Sequence, residues 1–388
     1  AALRLEWPDC CDARRTATST HPAALMLAAA VSIAAAIAAT STTNDEVLVV
    51  RGEAVPRSTL IQPVPFQSAA AEAETPTPKD PGSMQYSDQT ARQISLYASA
   101  AYCSPYRVSS WQLDRGCADL NSFEIKRIWS VDSSIFRRSE NAGFAYVGVD
   151  HARKWVVASF KGTNDTVDWM HDLQGLEFSF DPCRLPSGNT RGTVHKGFCE
   201  YYVKLAKLGV AGNFTALMEK HSDYTPVMTG HSLGGAAAAL MAYDVYEYSR
   251  GRAAALLYTY GMPRVGDFEF AKALNARVAN AYRIVHARDI VPHLPPCVGL
   301  LGCSQGKAMP HHTATEVFYP NAMRSGDNFT ICDGSGEDSH CSNGVAHISV
   351  SDHCSYFGIN NCAICCREEA SHNFVSSPAD SFLKLLFT

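Results

Sequence analysis

An α/β fold, with a central sheet covered by helices, is what this chain of 388 residues predicts, and three observations carry it. Short apolar runs of strand length alternate with stretches of helical period between about residues 85 and 285. An apolar Val227-Met228 run enters Gly230-His231-Ser232-Leu233-Gly234, and a small-residue stretch leaves it, as at a sharp strand-to-helix turn. At 46% hydrophobic and 18% charged, the chain can fill one large core or two modest ones.

Taken in order, residues 23–39 (AALMLAAAVSIAAAIAA) are apolar and follow Arg14 and Arg15. Seventeen residues, mostly alanine, are short for a spanning helix. Small residues near 38–40 suit signal-peptidase cleavage, so 1–39 are expected to be an N-terminal region with a signal peptide, a signal anchor being the alternative. Residues 40–82 carry Pro56, Pro63, Pro65, Pro76, Pro78 and Pro81 among Ala, Ser, Thr and Glu, and read as a propeptide or disordered linker with no packed core.

Order is expected from Gln85. A helix over 88–102 places Ile94, Tyr97, Ala98 and Ala101 on one face. Residues 144–149 and 154–160 read as paired strands, 195–208 as a helix, and 226–229 as a short strand entering GHSLGG. A helix over 236–248 ends near Gly251. Strands at 255–260 and 281–285 flank another helix around 268–278. A single domain over 83–370 is the best division, followed by a tail, 371–388, whose Phe382–Phe387 run is too short to span a membrane.

A formal net charge of −5 and the lack of any long basic run exclude nucleic-acid binding as a main function. Of 14 cysteines, Cys10 and Cys11 precede the apolar stretch and twelve follow it. An even number beyond the cleavage point fits disulfides made in an oxidising, extracellular compartment. Spacing alone suggests Cys183–Cys199 and Cys297–Cys303. Cys362-x2-Cys365-Cys366 looks metal-like but has no second pair at finger spacing, so no metal and no cofactor are expected.

The sharp turn carries the chemistry. It forces Ser232 into strained backbone geometry and crowds its neighbours, so glycine is needed two residues before and two after. It lifts Oγ clear of the sheet and aims the Leu233 N–H, at a helix N-terminus, to where an oxyanion would form. A serine hydroxyl also needs a base, and the base an orienting acid, following in the order Ser, Asp or Glu, His. Asp289 lies where a strand gives way to a proline-rich loop, and His353 sits in DHCSYFG. Order and spacing leave Asp267, Asp352, His347 and His312 open.

With VHKGF (194–198), TGHSLGGA (229–236), TYGMPRVGD (259–267), ARDIVPHLPP (287–296) and DHCSYFGIN (352–360) in view, the chain resembles the fungal class 3 lipases of the Rhizomucor/Rhizopus type over about 85–366. The resemblance implies an α/β-hydrolase-like, mixed, mostly parallel central sheet with helices on both faces and a short helical lid. By motif it gives the catalytic residues Ser232, Asp289 and His353, with His231, His293 and His195 structural. Ser159-Phe160-Lys161-Gly162-Thr163 resembles the family's oxyanion strand, which makes Thr163 and the Leu233 N–H the oxyanion hole. Residues 164–173 match the lid, with Val167, Trp169 and Met170 apolar and Asp172 supporting the oxyanion residue. Val291, Leu294 and Cys354 fall along the acyl groove; Cys354 departs from the apolar residue usual after the catalytic histidine. The family also implies a Cys332–Cys341 disulfide and one from Cys103 to the C-terminal cluster at Cys362.

These readings imply a secreted, monomeric serine ester hydrolase, a triacylglycerol lipase that meets a lipid–water interface transiently. The alternative is a lidded esterase for soluble esters such as feruloyl esters, favoured by Asp165, Asp168 and Asp172. Asn164, Asn213 and Asn328 stand in N-x-S/T sequons.

Overall fold

The computed structural model describes residues 85–111, 113, 120–131, 143–163, 179–249, 255–296, 309–346 and 348–361, together with the backbone of 48–51. All fall within one compact unit, Asp45–Thr388. The signal segment 1–39, the rest of 40–82, the lid residues 164–173, Cys297–Cys303, His347, Cys362 and the tail lie outside the described residues.

The main sheet has nine strands among the described residues, and they cross it in chain order. They are β1 (Leu48–Arg51), β2 (Phe123–Val131), β3 (Gly143–Asp150), β4 (Trp155–Phe160), β5 (Thr225–His231), β6 (Leu256–Tyr260), β7 (Asn280–His286), β8 (Glu316–Tyr319) and β9 (Thr330–Ile331). Strands β4 to β8 run parallel, as does β1 to β2; β3 is antiparallel to both neighbours, and β9 to β8. The sheet is therefore mixed and mostly parallel, as expected. One difference lies at its edge: β1 comes from the stretch read as structureless, where Leu48-Val49-Val50 is apolar and β-branched enough to pair with β2.

Helices cover both faces. Phe144, Tyr146, Val157 and Val227 point into one core with α1 (Asp88–Ala100) and Val108 of α2 (Pro105–Ser109). Ala145, Val147, Ala158 and Met228 point into the other, with α3 (Lys196–Lys207), α4 (Val210–Lys220), α5 (Leu233–Ser249) and α6 (Phe268–Arg277). Strand β3 is consequently buried at every position, as a strand covered on both sides must be. Ser87 caps α1 by accepting from Thr90 N–H at 3.2 Å, and Ile94, Tyr97, Ala98 and Ala101 are buried as a set. Helix α5 is buried from Leu233 to Val245, because its alanines let it lie close to the sheet. It starts three residues before the expected position, directly after Ser232.

Disulfides join Cys183 to Cys199 and Cys332 to Cys341, with Cα atoms 5.7 and 6.3 Å apart. Cys103 and Cys354 are disulfide-bonded as well, in bonds other than these. Of the sequons, Asn328 is exposed, whereas Asn213 spends its amide on the Gly209 carbonyl at 2.8 Å.

Candidate active site

Ser232 sits between β5 and α5 with φ +59°, left-handed backbone that an L-residue adopts at a cost. Its N–H donates to the Tyr260 carbonyl at 2.9 Å, which ties the turn to β6. A Cβ on Gly230 would strike the backbone of Gly234, and one on Gly234 would strike the Phe160 carbonyl. The close approach also brings the end of β4 to the serine: a Cβ on Gly162 would meet the Ser232 Cβ at 3.1 Å and the His231 carbonyl at 2.7 Å. Thr163 follows at once, half-buried, and Leu233 opens α5 at 1% exposure.

Asp289 lies in the turn after β7, fully buried. His353 comes from α7 (Val350–Cys354), whose N-cap Ser349 accepts from Asp352 N–H. The same Ser349 pairs with the Asp289 turn: its N–H donates to Arg288 O at 2.6 Å and its carbonyl accepts from Ile290 at 3.3 Å. That bridge sets two residues 64 positions apart side by side. His353 Nδ1 then lies 2.9 and 3.0 Å from the two Asp289 oxygens. Val291 N–H donates to Oδ1 at 2.8 Å and the Tyr356 hydroxyl to Oδ2 at 2.5 Å. Burial pushes the Asp289 carboxyl up, but the His353 charge and these hydrogen bonds hold it below the ordinary carboxylate value.

Tyr260-Gly261 is the meeting point. Tyr260 holds the Ser232 amide, and Gly261, at φ +56°, backs onto the acid and histidine, where a Cβ would come within 2.9 Å of His353 Nδ1. Ser232 Oγ and His353 Nε2 are both buried, and neither has a hydrogen-bond partner among the described residues. Buried polar atoms are rarely left so. A strained serine and an imidazole brought to the same Tyr260-Gly261 step, the imidazole's far nitrogen held by a carboxylate, are the groups that nucleophilic acyl transfer needs.

The other candidates are engaged elsewhere. Asp267 caps α6 through Phe270 N–H at 2.9 Å and accepts from Thr193. Asp352 accepts from Arg288 N–H, and His312 Nε2 donates to the Pro292 carbonyl. His195 is packed against Phe180 and Phe198, and His231 bonds Tyr102 and the His353 main chain. His293 follows Val291-Pro292 in a 3-10 turn, half-buried. Val291 and Leu294 lie in the apolar cluster that contains Leu233, while Cys354 is tied up in a disulfide. Val167, Trp169, Met170 and Asp172 are outside the described residues. Sequence reasoning missed Tyr356, Tyr102 and Gly261. For Tyr356 a signal existed, since a fully buried carboxylate needs more than one donor and the tyrosine lies three residues beyond His353.

Residues 157–299 match the family described as Lipase (class 3). A lipase of Rhizomucor miehei is 36% identical over 222 residues, 56% of this chain and 55% of that protein, so the chain spans about half of that relative's length. A secreted mono- and diacylglycerol lipase of Fusarium solani is 30% identical over 269 residues, 67% of this chain and 73% of its own. The solved structure of Rhizomucor miehei triacylglyceride lipase superposes with TM-score 0.57 at 28% identity, covering 72% of this chain and 98% of that one. The similarity extends to the fold, which is of the α/β-hydrolase kind.

Proposed function

The chain belongs to the class 3 lipase family, and on that premise we propose that it is a secreted serine ester hydrolase, a triacylglycerol lipase working through an acyl-enzyme on Ser232. One observation supports the reading: a serine at positive φ on a strand–helix turn and a buried histidine–carboxylate pair both abut Tyr260-Gly261.

His353 Nε2 takes the Ser232 proton as Oγ attacks the ester carbonyl, and Asp289, bonded at Nδ1, holds the tautomer that leaves Nε2 free to accept. The Leu233 N–H and Thr163 receive the oxyanion of the tetrahedral intermediate, with Asp172 supporting Thr163. The intermediate collapses by expelling the alcohol, which takes the proton from His353. Water then repeats the attack on the acyl-enzyme and releases the acid. Val291, Leu294 and Cys354 flank the acyl chain. Val167, Trp169 and Met170 supply the apolar face of a lid.

Secretion is supported by the Cys183–Cys199 and Cys332–Cys341 disulfides and by the name of the Fusarium relative. No helix among the described residues is long and apolar enough to cross a membrane. We take the working enzyme to be a monomer in transient contact with lipid. The test is a rate comparison between emulsified long-chain triacylglycerol and a dissolved short ester. Turnover of both, with the emulsion preferred, is expected. Hydrolysis of the dissolved ester alone would replace the lipase reading by that of an esterase for soluble esters, and hydrolysis of neither would refute both.

A further inference from the structure

Tyr102 and His231 have no step in that reaction, yet His231 touches His353 and Tyr102 holds His231. His231 Nε2 lies 2.8 Å from the main-chain oxygen of His353. A carbonyl only accepts, so Nε2 carries the proton. His231 Nδ1 lies 2.8 Å from the Tyr102 hydroxyl oxygen. In the neutral ring that nitrogen offers a lone pair, so the tyrosine donates; the same hydroxyl is farther, 3.4 Å, from the His231 carbonyl. Burial, aided by the charge of His353, pushes His231 down to about 3, and the ring is neutral at neutral pH.

The contact is not through the main chain alone. The two imidazoles lie against each other, tilted, with centroids 4.4 Å apart and planes inclined by 31°. Each end of the line is also anchored covalently: disulfide-bonded Cys103 follows Tyr102, and disulfide-bonded Cys354 follows His353. Asn361 N–H donates to the Cys354 carbonyl at 2.8 Å, and its side chain accepts from Ser99 of α1, so the helix bearing Tyr102 at its end and the hairpin after His353 are joined a second time.

We propose that His231 is a positioning residue for His353, with its tautomer set by Tyr102: the pair holds the main chain and ring face of His353 while Asp289 holds the ring's rotation, and Nε2 stays aimed at Ser232. The proposal rests on the acyl-transfer reading with His353 as the base. A residue of this kind lowers kcat when lost and leaves KM alone, since it touches no substrate.

The full secreted enzyme, with active sites counted by a phosphonate reagent, is assayed on a dissolved short ester. His231→Leu is expected to lower kcat roughly 10- to 100-fold with KM within about twofold, the scale of a lost buried hydrogen bond. His231→Gln, which restores an N–H near the position of Nε2, recovers part of that loss. Tyr102→Phe lowers kcat by about three- to tenfold. The hydroxyl also accepts from the Gly162 N–H, beside Thr163; if it acts on His353 through the imidazole it holds, the double variant is no slower than His231→Leu. An unchanged kcat in His231→Leu, or losses that multiply in the double variant, overturns the proposal. If His231→Leu does not fold, the isosteric Tyr102→Phe decides, and an unchanged kcat there overturns it. Ser232→Ala separates the two layers: activity that survives it sinks the acyl-transfer reading, whereas its loss beside an unimpaired His231→Leu sinks the positioning role alone.

Discussion

Tyr356 gives its hydroxyl to Asp289 Oδ2 at 2.5 Å, from a two-strand hairpin that starts at the residue after α7. The segment that delivers His353 thus also delivers a donor to the carboxylate that holds it. Tyr356→Phe keeps the ring and removes the donor, leaving Asp289 with His353 and Val291 N–H. We expect kcat on a dissolved ester to fall about three- to tenfold, far less than for loss of Asp289 itself. A drop as large as that of Asp289→Ala would mean the tyrosine does more than orient the acid.

Ser232→Ala, Asp289→Ala and His353→Ala should each lower ester turnover by roughly 10³-fold or more, with the fold retained. Far-UV circular dichroism beside the rate assay checks both halves. Near-normal rates in His353→Ala, with loss in His347→Ala, would move the base to the neighbouring histidine.

The elements that were legible in sequence are those whose period or local chemistry is self-contained. Helix α1 shows one apolar face, and the turn at Ser232 advertises itself by flanking glycines. Strand β2 was not read, because its alternation of apolar and polar residues breaks at Arg127, where the pairing with β3 shifts register. Strand β8 was not read either. Its Glu316, 2% exposed, is paired with Arg283, 33 positions away, at 2.9 Å and accepts from Ser342 N–H at 2.9 Å. The site divides in the same way. Ser232, Asp289 and His353 stand in motifs. The Tyr102–His231–His353 line joins residues 129 and 122 positions apart, and no local pattern announces such a contact.

His231, buried, and His195, half-buried, give stability a pH dependence with a definite sign. Burial pushes His195 down to about 4 and His231 to about 3. Their unfolded-state value is about 6.5. Between the two values the unfolded chain binds a proton that the native one refuses, so stability is complete above about 6.5 and is lost as pH falls toward 4. His195 packs edge-on against Phe180 and tilted against Phe198, which makes His195→Phe a conservative probe. Urea midpoints at pH 7.5 and 5 should differ less in this variant than in the wild type. An unchanged difference would show that His195 does not contribute.

Closing loops of 16 and 9 residues' separation, the Cys183–Cys199 and Cys332–Cys341 bonds should each stabilise the fold by about 3 kcal/mol through the unfolded chain. Replacing either pair by alanines should lower the thermal midpoint measurably. Thiol labelling of the denatured, unreduced protein should leave Cys103, Cys183, Cys199, Cys332, Cys341 and Cys354 unmodified. Labelling of both Cys332 and Cys341 would remove that loop's cross-link.

Ser232 is 1% exposed and His353 fully buried, so an ester carbonyl can reach Oγ only after covering groups move aside. In the lid reading those groups belong to residues 164–173, with Val167, Trp169 and Met170 on the inner side. Opening exposes that apolar face, which water disfavours by about 25 cal/mol per Å² and a lipid surface does not. Activity on a partly soluble ester should therefore rise sharply as its concentration passes the solubility limit. Trp169→Ala removes apolar surface and leaves Ser232, Asp289 and His353 intact. It should weaken that rise more than it weakens hydrolysis below the limit. A smooth saturation curve in the wild type, with no break at the solubility limit, would count against interfacial activation and favour an esterase that takes dissolved substrates.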